Sequence, residues 1–172
     1  MSATTKPLLF SLKPQYADLV FDGLKHAELR RRITPDMKDR DVFIYVSSPV
    51  RQLRGGFRVG HVWQGSPKDV WKEVSELAGV EKRDFDNYYA GRTVAYALKI
   101  TDVWEYAYPV SLDTLRSRFP RFVVPQSWRY VKPEEYRSFR RMKPRTKEAR
   151  DLRKPRPSIY TDIRSRQSRR SA

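Results

Sequence analysis

The stretch RTVAYALKITDVWEYAYPV, Arg92 to Val110, constrains the fold most. It is rich in β-branched and aromatic residues, which suit a pleated and half-buried surface. As the longest strand-like run in the chain, it is sustained enough to bend around a barrel. A second stretch, GGFRVGHVWQG, supplies a partner for it. Phe57, Val59, His61 and Trp63 share one parity while Arg58 and Gly60 take the other, the alternation of a strand with two unlike faces. Gly55-Gly56 at its start predicts a bulge or a close backbone approach.

Shorter elements surround these two. LLFSLK, from Leu8 to Lys13, reads as a strand that ends at Pro14. Pro14 suits the first turn of a helix, where its missing N–H costs nothing. Tyr16, Leu19 and Val20 lie on one helical face, and Gly23 offers a left-handed stop. HAELR then reads as a strand, and DVFIYVSSPV as a buried one closed by Pro49. Ser66 and Pro67 start a helix with Asp69 in its first turn and Gly79 at its end. EKRDFDNYYAG and SLDTLRSRF are short helices, PQSWRYV is a brief strand or loop, and KPEEYRSFRRM is a last helix. Five or six strands with short helices between them make an α+β pattern built round a small barrel.

Charge is the strongest compositional signal. The 172-residue chain carries a net charge of +16, which predicts an anionic partner, most commonly nucleic acid. Residues 141–172 hold twelve Lys/Arg against three Asp/Glu, and residues 1–140 hold 24 against 17. The expected division is therefore a folded domain over 1–140 and a basic, disordered tail over 141–172. The chain has no cysteine, so no disulfide or thiolate metal site is expected, and a cytoplasmic setting fits. No apolar run approaches the roughly 20 residues of a membrane span, and the apolar stretch near Met1 is short for a secretory signal. No membrane partner, metal or cofactor is expected, and the oligomeric state is left open.

Four segments, in order, resemble the ASCH domains, a branch of the PUA-like superfamily. SLKPQYADLVFDGLKHAELRRR is similar to the signature of a strand, a Lys-Pro helix start and Gly-x-Lys-x-x-Glu-x-Arg, here Gly23, Lys25, Glu28 and Arg30. IYVSSPVRQLRGGFRVG is similar to a strand, a Ser-Pro turn and a Gly-x-Phe strand. GSPKDVWKEVSELAGVEKRDFDNYYAGRTVAYALKI resembles the inserted helices and the next strand, and VPQSWRYVKPEEY the closing segment. The likeness runs from about Leu8 to Phe139. It implies a small PUA-like β-barrel with helices at its sides and a cleft where the first helix meets the second strand. It also implies an RNA- or nucleotide-binding role. One branch deacetylates N4-acetylcytidine with a lysine, a threonine and a glutamate, and ribonuclease activity is assigned within the family.

The residues expected to bind nucleic acid are Lys25, Glu28, Arg30, Arg32, Arg58, Gln126, Ser127, Trp128 and Arg129. Arg30 suits bidentate phosphate contact and Lys25 supplies a point charge. Glu28 suits an exocyclic amine or the orientation of an arginine. Strand alternation sets Lys25 on the face opposite Glu28 and Arg30, and it sets Arg31 and Arg32 on opposite faces, so that one of them is surface. Gln126 and Ser127 are candidate base-edge readers in a loop, with turn hydrogen bonding as the plainer reading. Trp128 is a candidate stacking platform, and Tyr45, Trp63, Tyr96 and Trp104 are assigned mainly to the core. Arg58, beside the Gly-x-Phe strand, makes the cleft surroundings more positive.

The expected function is RNA binding, with DNA or a nucleotide as alternative ligands. Catalysis is an alternative, carried by Lys25 and Glu28 in a metal-independent amidohydrolase or ribonuclease. Glu28 stands where the deacetylase branch has its threonine, so that mechanism does not transfer, and Glu73 or Glu76 is the candidate for the remaining glutamate. A His26–His61 acid–base pair is a weaker ribonuclease candidate, since isolated strand histidines usually pack or face water. A protein-interaction module with an acidic partner is the third reading.

Overall fold

The computed structural model describes residues 6–34 and 36–145. The expected tail therefore falls outside the described residues from 146 onward. Residues 143–145 run beside the long strand, with Ala107 N–H bonded to Lys143 O at 3.0 Å and Arg145 N–H to Glu105 O at 2.6 Å.

Six strands and five helices follow in the order β1 (Leu8–Leu12), α1 (Pro14–Phe21), β2 (Ala27–Arg30), β3 (Asp41–Val46), β4 (Gln52–Gly65), α2 (Pro67–Val74), α3 (Lys82–Tyr89), β5 (Ala95–Ser111), α4 (Leu112–Arg118), β6 (Trp128–Tyr130) and α5 (Pro133–Arg141). All form one α+β domain whose sheet has the order β2-β5-β4-β3-β1-β6. The pair β1–β3 is parallel, and the other pairs are antiparallel.

The sheet is a curled half-barrel rather than a closed barrel: β2 and β6 remain its two edges, with no backbone ladder between them. Its curvature comes from β4 and β5, whose register shifts between Leu53 and Gly55, between Gly56 and Arg58, and between Val59 and Val62. Each shift breaks the ladder and adds local twist. The glycines expected at this bend are required by close approach. A Cβ on Gly56 would lie 2.2 Å from Val42 O, and one on Gly55 would lie 2.2 Å from Trp104 O. The bent β5 pairs with β4 along most of its length and with β2 near its start.

Local signals set most helix ends. Pro14 opens α1, and Gly23 beyond its end has φ +71°. Ser66 caps α2 by accepting from Asp69 N–H. That helix ends at Val74 rather than at Gly79, because Leu77 and Ala78 N–H both turn back to Val74 O. The core has three parts. Leu8, Phe10, Val20, Ile44 and Phe57 fill the sheet face under α1. Leu9, Phe43, Tyr106, Leu115 and Phe139 fill the opposite face under α4 and α5. Ala27, Leu29, Val70, Phe85 and Tyr89 fill the space between β2, β5 and helices α2 and α3.

Candidate functional site

Side chains bridge the open seam of the half-barrel. Arg30, the last residue of β2, donates from Nη1 to Ser127 O at 3.2 Å and Ser127 Oγ at 3.0 Å. Ser127 immediately precedes β6, the opposite edge strand. Next to it, Trp128 Nε1 donates to Arg32 O at 3.1 Å. A cavity of about 900 Å³ lies at this seam, within the range that holds a small organic ligand. Its wall takes residues from the end of β1, from α1, β2 and α3, and from the Val124–Trp128 segment.

Lys25, Glu28 and Arg30 form the charged floor. They are 3%, 5% and 5% exposed, a degree of burial that charged side chains tolerate only when paired. Arg30 Nη2 stands 2.9 Å from Glu28 Oε1, and Lys25 Nζ stands 3.7 Å from Glu28 Oε2. Lys25 also donates to Ala78 O at 2.5 Å. Burial lowers the pKa of Lys25 below the usual lysine value. Glu28 opposes that shift and Arg30 adds to it. The Arg30 guanidinium lies 4.1 Å from the centre of the Phe10 ring. Its Nε and Nη2 are buried donors with no hydrogen-bond acceptor in the described protein, Nη2 being close to Glu28 but poorly aimed at it. Buried donors of this kind carry a desolvation cost that a ligand acceptor would remove.

Sequence alternation correctly sets Glu28 and Arg30 together, with Ala27 and Leu29 turned into the core below α2 and α3. It misplaces Lys25. That residue precedes β2, and its N–H, like that of Leu24, bonds to Leu19 O at the end of α1. Its side chain therefore follows the turn and joins Glu28. The same holds beyond the strand, where the chain bends and both Arg31 and Arg32 line the cavity. Arg31 stacks 4.6 Å from the Tyr88 ring centre and donates from Nε to Tyr88 O.

Gln126, Ser127 and Trp128 also line the cavity, whereas Arg58 and Arg129 do not. Arg58 pairs with Asp41, its cross-strand partner, at 3.1 Å. Arg129 follows Trp128 in β6 and so points to the other side, where it makes two contacts of 2.8 and 2.9 Å with Glu135. Glu73 and Glu76 are exposed and outside the cavity wall, as are His26 and His61. Tyr45, Trp63, Tyr96 and Trp104 are absent from the wall too. Tyr16, Tyr88, Asp84, Arg92 and Lys13 line it without having been singled out. Tyr16 shares the apolar face of α1, which made it look like core. The paired tyrosines of α3 carried no signal separating a core ring, Tyr89, from a cavity ring, Tyr88.

The wall thus holds six cations (Lys13, Lys25, Arg30, Arg31, Arg32 and Arg92) against two carboxylates, Glu28 and Asp84, with three aromatic rings from Tyr16, Tyr88 and Trp128. Such a set can neutralise phosphate, stack a planar ring and hydrogen-bond a base edge. Among the described residues no group of three or more His, Asp or Glu could hold a metal, and no helix is long and apolar enough to cross a membrane.

Comparison with known proteins bears on the fold and the family. The chain is 29% identical over 129 residues to the large ribosomal subunit protein uL22 of Ureaplasma parvum, covering 75% of this chain and 40% of that protein. It is 28% identical over 130 residues to an ASCH domain-containing ribonuclease of Zymomonas mobilis, covering 76% of this chain and 87% of that one. The crystal structure of ASCH from Zymomonas mobilis superposes with a TM-score of 0.72 at 27% identity, over 77% of this chain and 92% of the other. The model of the ASCH domain matches residues 10–114, which include the seam residues of β2. This chain belongs to the ASCH domain family.

Proposed function

We propose that the seam cavity binds RNA, seating a base among Tyr16, Tyr88 and Trp128 while the arginines meet the flanking phosphates. The observation that carries this reading is the buried Arg30, with two donors lacking acceptors, held beside Glu28 in a wall of net positive charge. Glu28 and the loop residues Gln126 and Ser127 offer acceptors and donors to a base edge. DNA or a free nucleotide presents part of the same chemistry. The names of the two relatives, a ribosomal protein and a ribonuclease, support an RNA ligand. Residues 1–140 act as the binding domain in this reading. The basic segment 141–172 adds sequence-independent phosphate contacts in a cytoplasmic setting.

The test uses RNA binding at near-physiological salt for the full chain, the chain ending at Arg145, and the full chain with Lys25→Met and Glu28→Gln. That double change leaves the net charge unaltered. The shortened chain is expected to retain binding, and the double variant to lose most of it. Equal binding by the double variant and the parent would overturn the reading.

The lowered pKa of Lys25 favours a second reading, cleavage of the bound RNA. The ribose 2′-hydroxyl would attack the adjacent phosphorus, forming the P–O2′ bond and breaking P–O5′. Glu28 takes the 2′ proton, Lys25, a better acid than a free lysine, returns a proton to O5′, and Arg30 offsets the charge on phosphorus. The products are a 2′,3′-cyclic phosphate and a 5′-hydroxyl. DNA of the same sequence, lacking the 2′-hydroxyl, should remain intact, and its cleavage would exclude this route.

A further inference from the structure

The positive charge of the described domain is not centred on the seam. Residues 112–145 hold ten basic and three acidic side chains, whereas residues 1–111 hold seventeen and fourteen. The first of these segments contains α4 and α5, which cover the sheet face opposite α1. Between them lies a recess of about 360 Å³ lined by Arg118, Arg137, Arg141, Glu134, Ser138 and Met142.

What distinguishes the three arginines is that they converge on one recess without a carboxylate among the described residues claiming any of them. Six arginines elsewhere in the fold, Arg30, Arg40, Arg54, Arg58, Arg129 and Arg140, do pair with carboxylates. Arg118, Arg137 and Arg141 are exposed and make no ion pair or side-chain hydrogen bond among the described residues. Two of them end their helices, where the helix dipole favours a cation. That accounts for Arg118 and Arg141 but not for Arg137. Arg137 stands four residues before Arg141 on one face of α5, a like-charge spacing that is itself unfavourable. A third guanidinium from α4 faces the same recess. Three unpaired cations against the single carboxylate of Glu134 make a site that an anion would relieve. The Ser138 hydroxyl is a further donor.

We infer that this recess is a second nucleic-acid site, one that grips the phosphodiester backbone through Arg118, Arg137 and Arg141. Its lining offers three guanidiniums to phosphate and no aromatic ring on which a base could stack, so it reads no sequence. The strand is held at the recess independently of whether a base enters the seam cavity.

The test measures anisotropy of a labelled twelve-nucleotide RNA, and of DNA of the same sequence, against KCl concentration. It compares four full-length proteins: the parent, Arg118→Gln/Arg137→Gln/Arg141→Gln, a charge-matched control with Lys68→Gln/Lys72→Gln/Arg83→Gln, and the Lys25→Met/Glu28→Gln variant. All substituted arginines of the recess are exposed, so folding should be retained and is checked by circular dichroism. The recess variant is expected to lose about two units of salt slope, at roughly 0.7 per phosphate contact, and about tenfold in affinity relative to the control. The loss should be the same for RNA and DNA. Equal behaviour of the recess variant and the control would overturn the site. So would sensitivity of an acidic peptide, but not of nucleic acid, to the three changes. If the Lys25→Met/Glu28→Gln variant binds like the parent while the recess variant fails, the seam reading falls and the recess stands. The reverse pattern does the opposite.

Discussion

Replacing Glu28 with alanine removes the carboxylate that lies 2.9 Å from Arg30 Nη2 and 3.7 Å from Lys25 Nζ. At an effective dielectric of about 20, charges at these separations interact by roughly 4–6 kcal/mol each before desolvation. All three side chains are nearly inaccessible to water, so the variant must hold two cations in a site built for a shared anion. Breaking a buried pair in this way costs about 3–5 kcal/mol. The upper figure applies while Lys25 is protonated. Lys25 already binds its proton less tightly than a free lysine, and losing Glu28 removes the partner that opposed that shift. Between its folded and unfolded pKa values the unfolded chain binds more protons than the folded one, so stability rises with pH across that window. The deficit of Glu28→Ala should therefore shrink as the pH rises toward about 10, where the unfolded lysine loses its proton. Urea denaturation at several pH values, with Lys25→Met/Glu28→Ala as a companion, measures it. The companion, with one buried cation fewer, is expected to be more stable than Glu28→Ala at neutral pH. A deficit below about 1 kcal/mol, unchanged by pH, would show that water screens the trio and that the buried-charge reasoning is wrong.

Other consequences follow from the packing. Gly56→Ala should cost about 3 kcal/mol or more by thermal denaturation, because its Cβ would meet Val42 O at 2.2 Å, a backbone atom that cannot swing aside. Burial raises the phenol pKa of Tyr88, Tyr89 and Tyr106. Their contribution is fully present below about pH 10, where the unfolded phenols ionise, and is lost as pH rises further. Absorbance at 295 nm should show these phenols titrating together with loss of the dichroism signal; titration in the folded protein would contradict this. Ser66→Ala should cost about 1 kcal/mol through the lost cap of α2, and leave RNA binding unchanged.

The framework of the fold was legible because its signals are local. Pro14 and Gly23 bracket α1, Ser66 and Pro67 start α2, and Phe57 and Val59 mark β4, although the register shift after Val59 turns His61 to solvent and Val62 toward the core in its place. Closure was not legible. Whether a bent sheet seals into a barrel depends on how its two edges meet, and here Arg30 and Trp128 join β2 to the β6 side in place of a ladder. The site was partly legible for the same reason. Glu28 and Arg30 sit inside a strand, where alternation holds. Lys25, Arg31 and Arg32 sit just outside it, where the backbone turns and alternation no longer applies. Arg58 and Arg129 looked like cleft residues by charge, yet Asp41 across a strand pair and Glu135 in the first turn of α5 claim them. Tyr16 and Tyr88 needed the third dimension, since a ring on an apolar helical face reads as core until the neighbouring element proves to be missing.

The seam cavity is tested most directly by amide chemical shifts of the isotope-labelled full chain titrated with a short single-stranded RNA. The expected result is a cluster of perturbed signals at Tyr16, Glu28, Arg31, Tyr88 and Ser127, which vanishes in the Lys25→Met/Glu28→Gln variant. Perturbations confined to residues 112–172, unaffected by that variant, would mean that the cavity is not where RNA is bound.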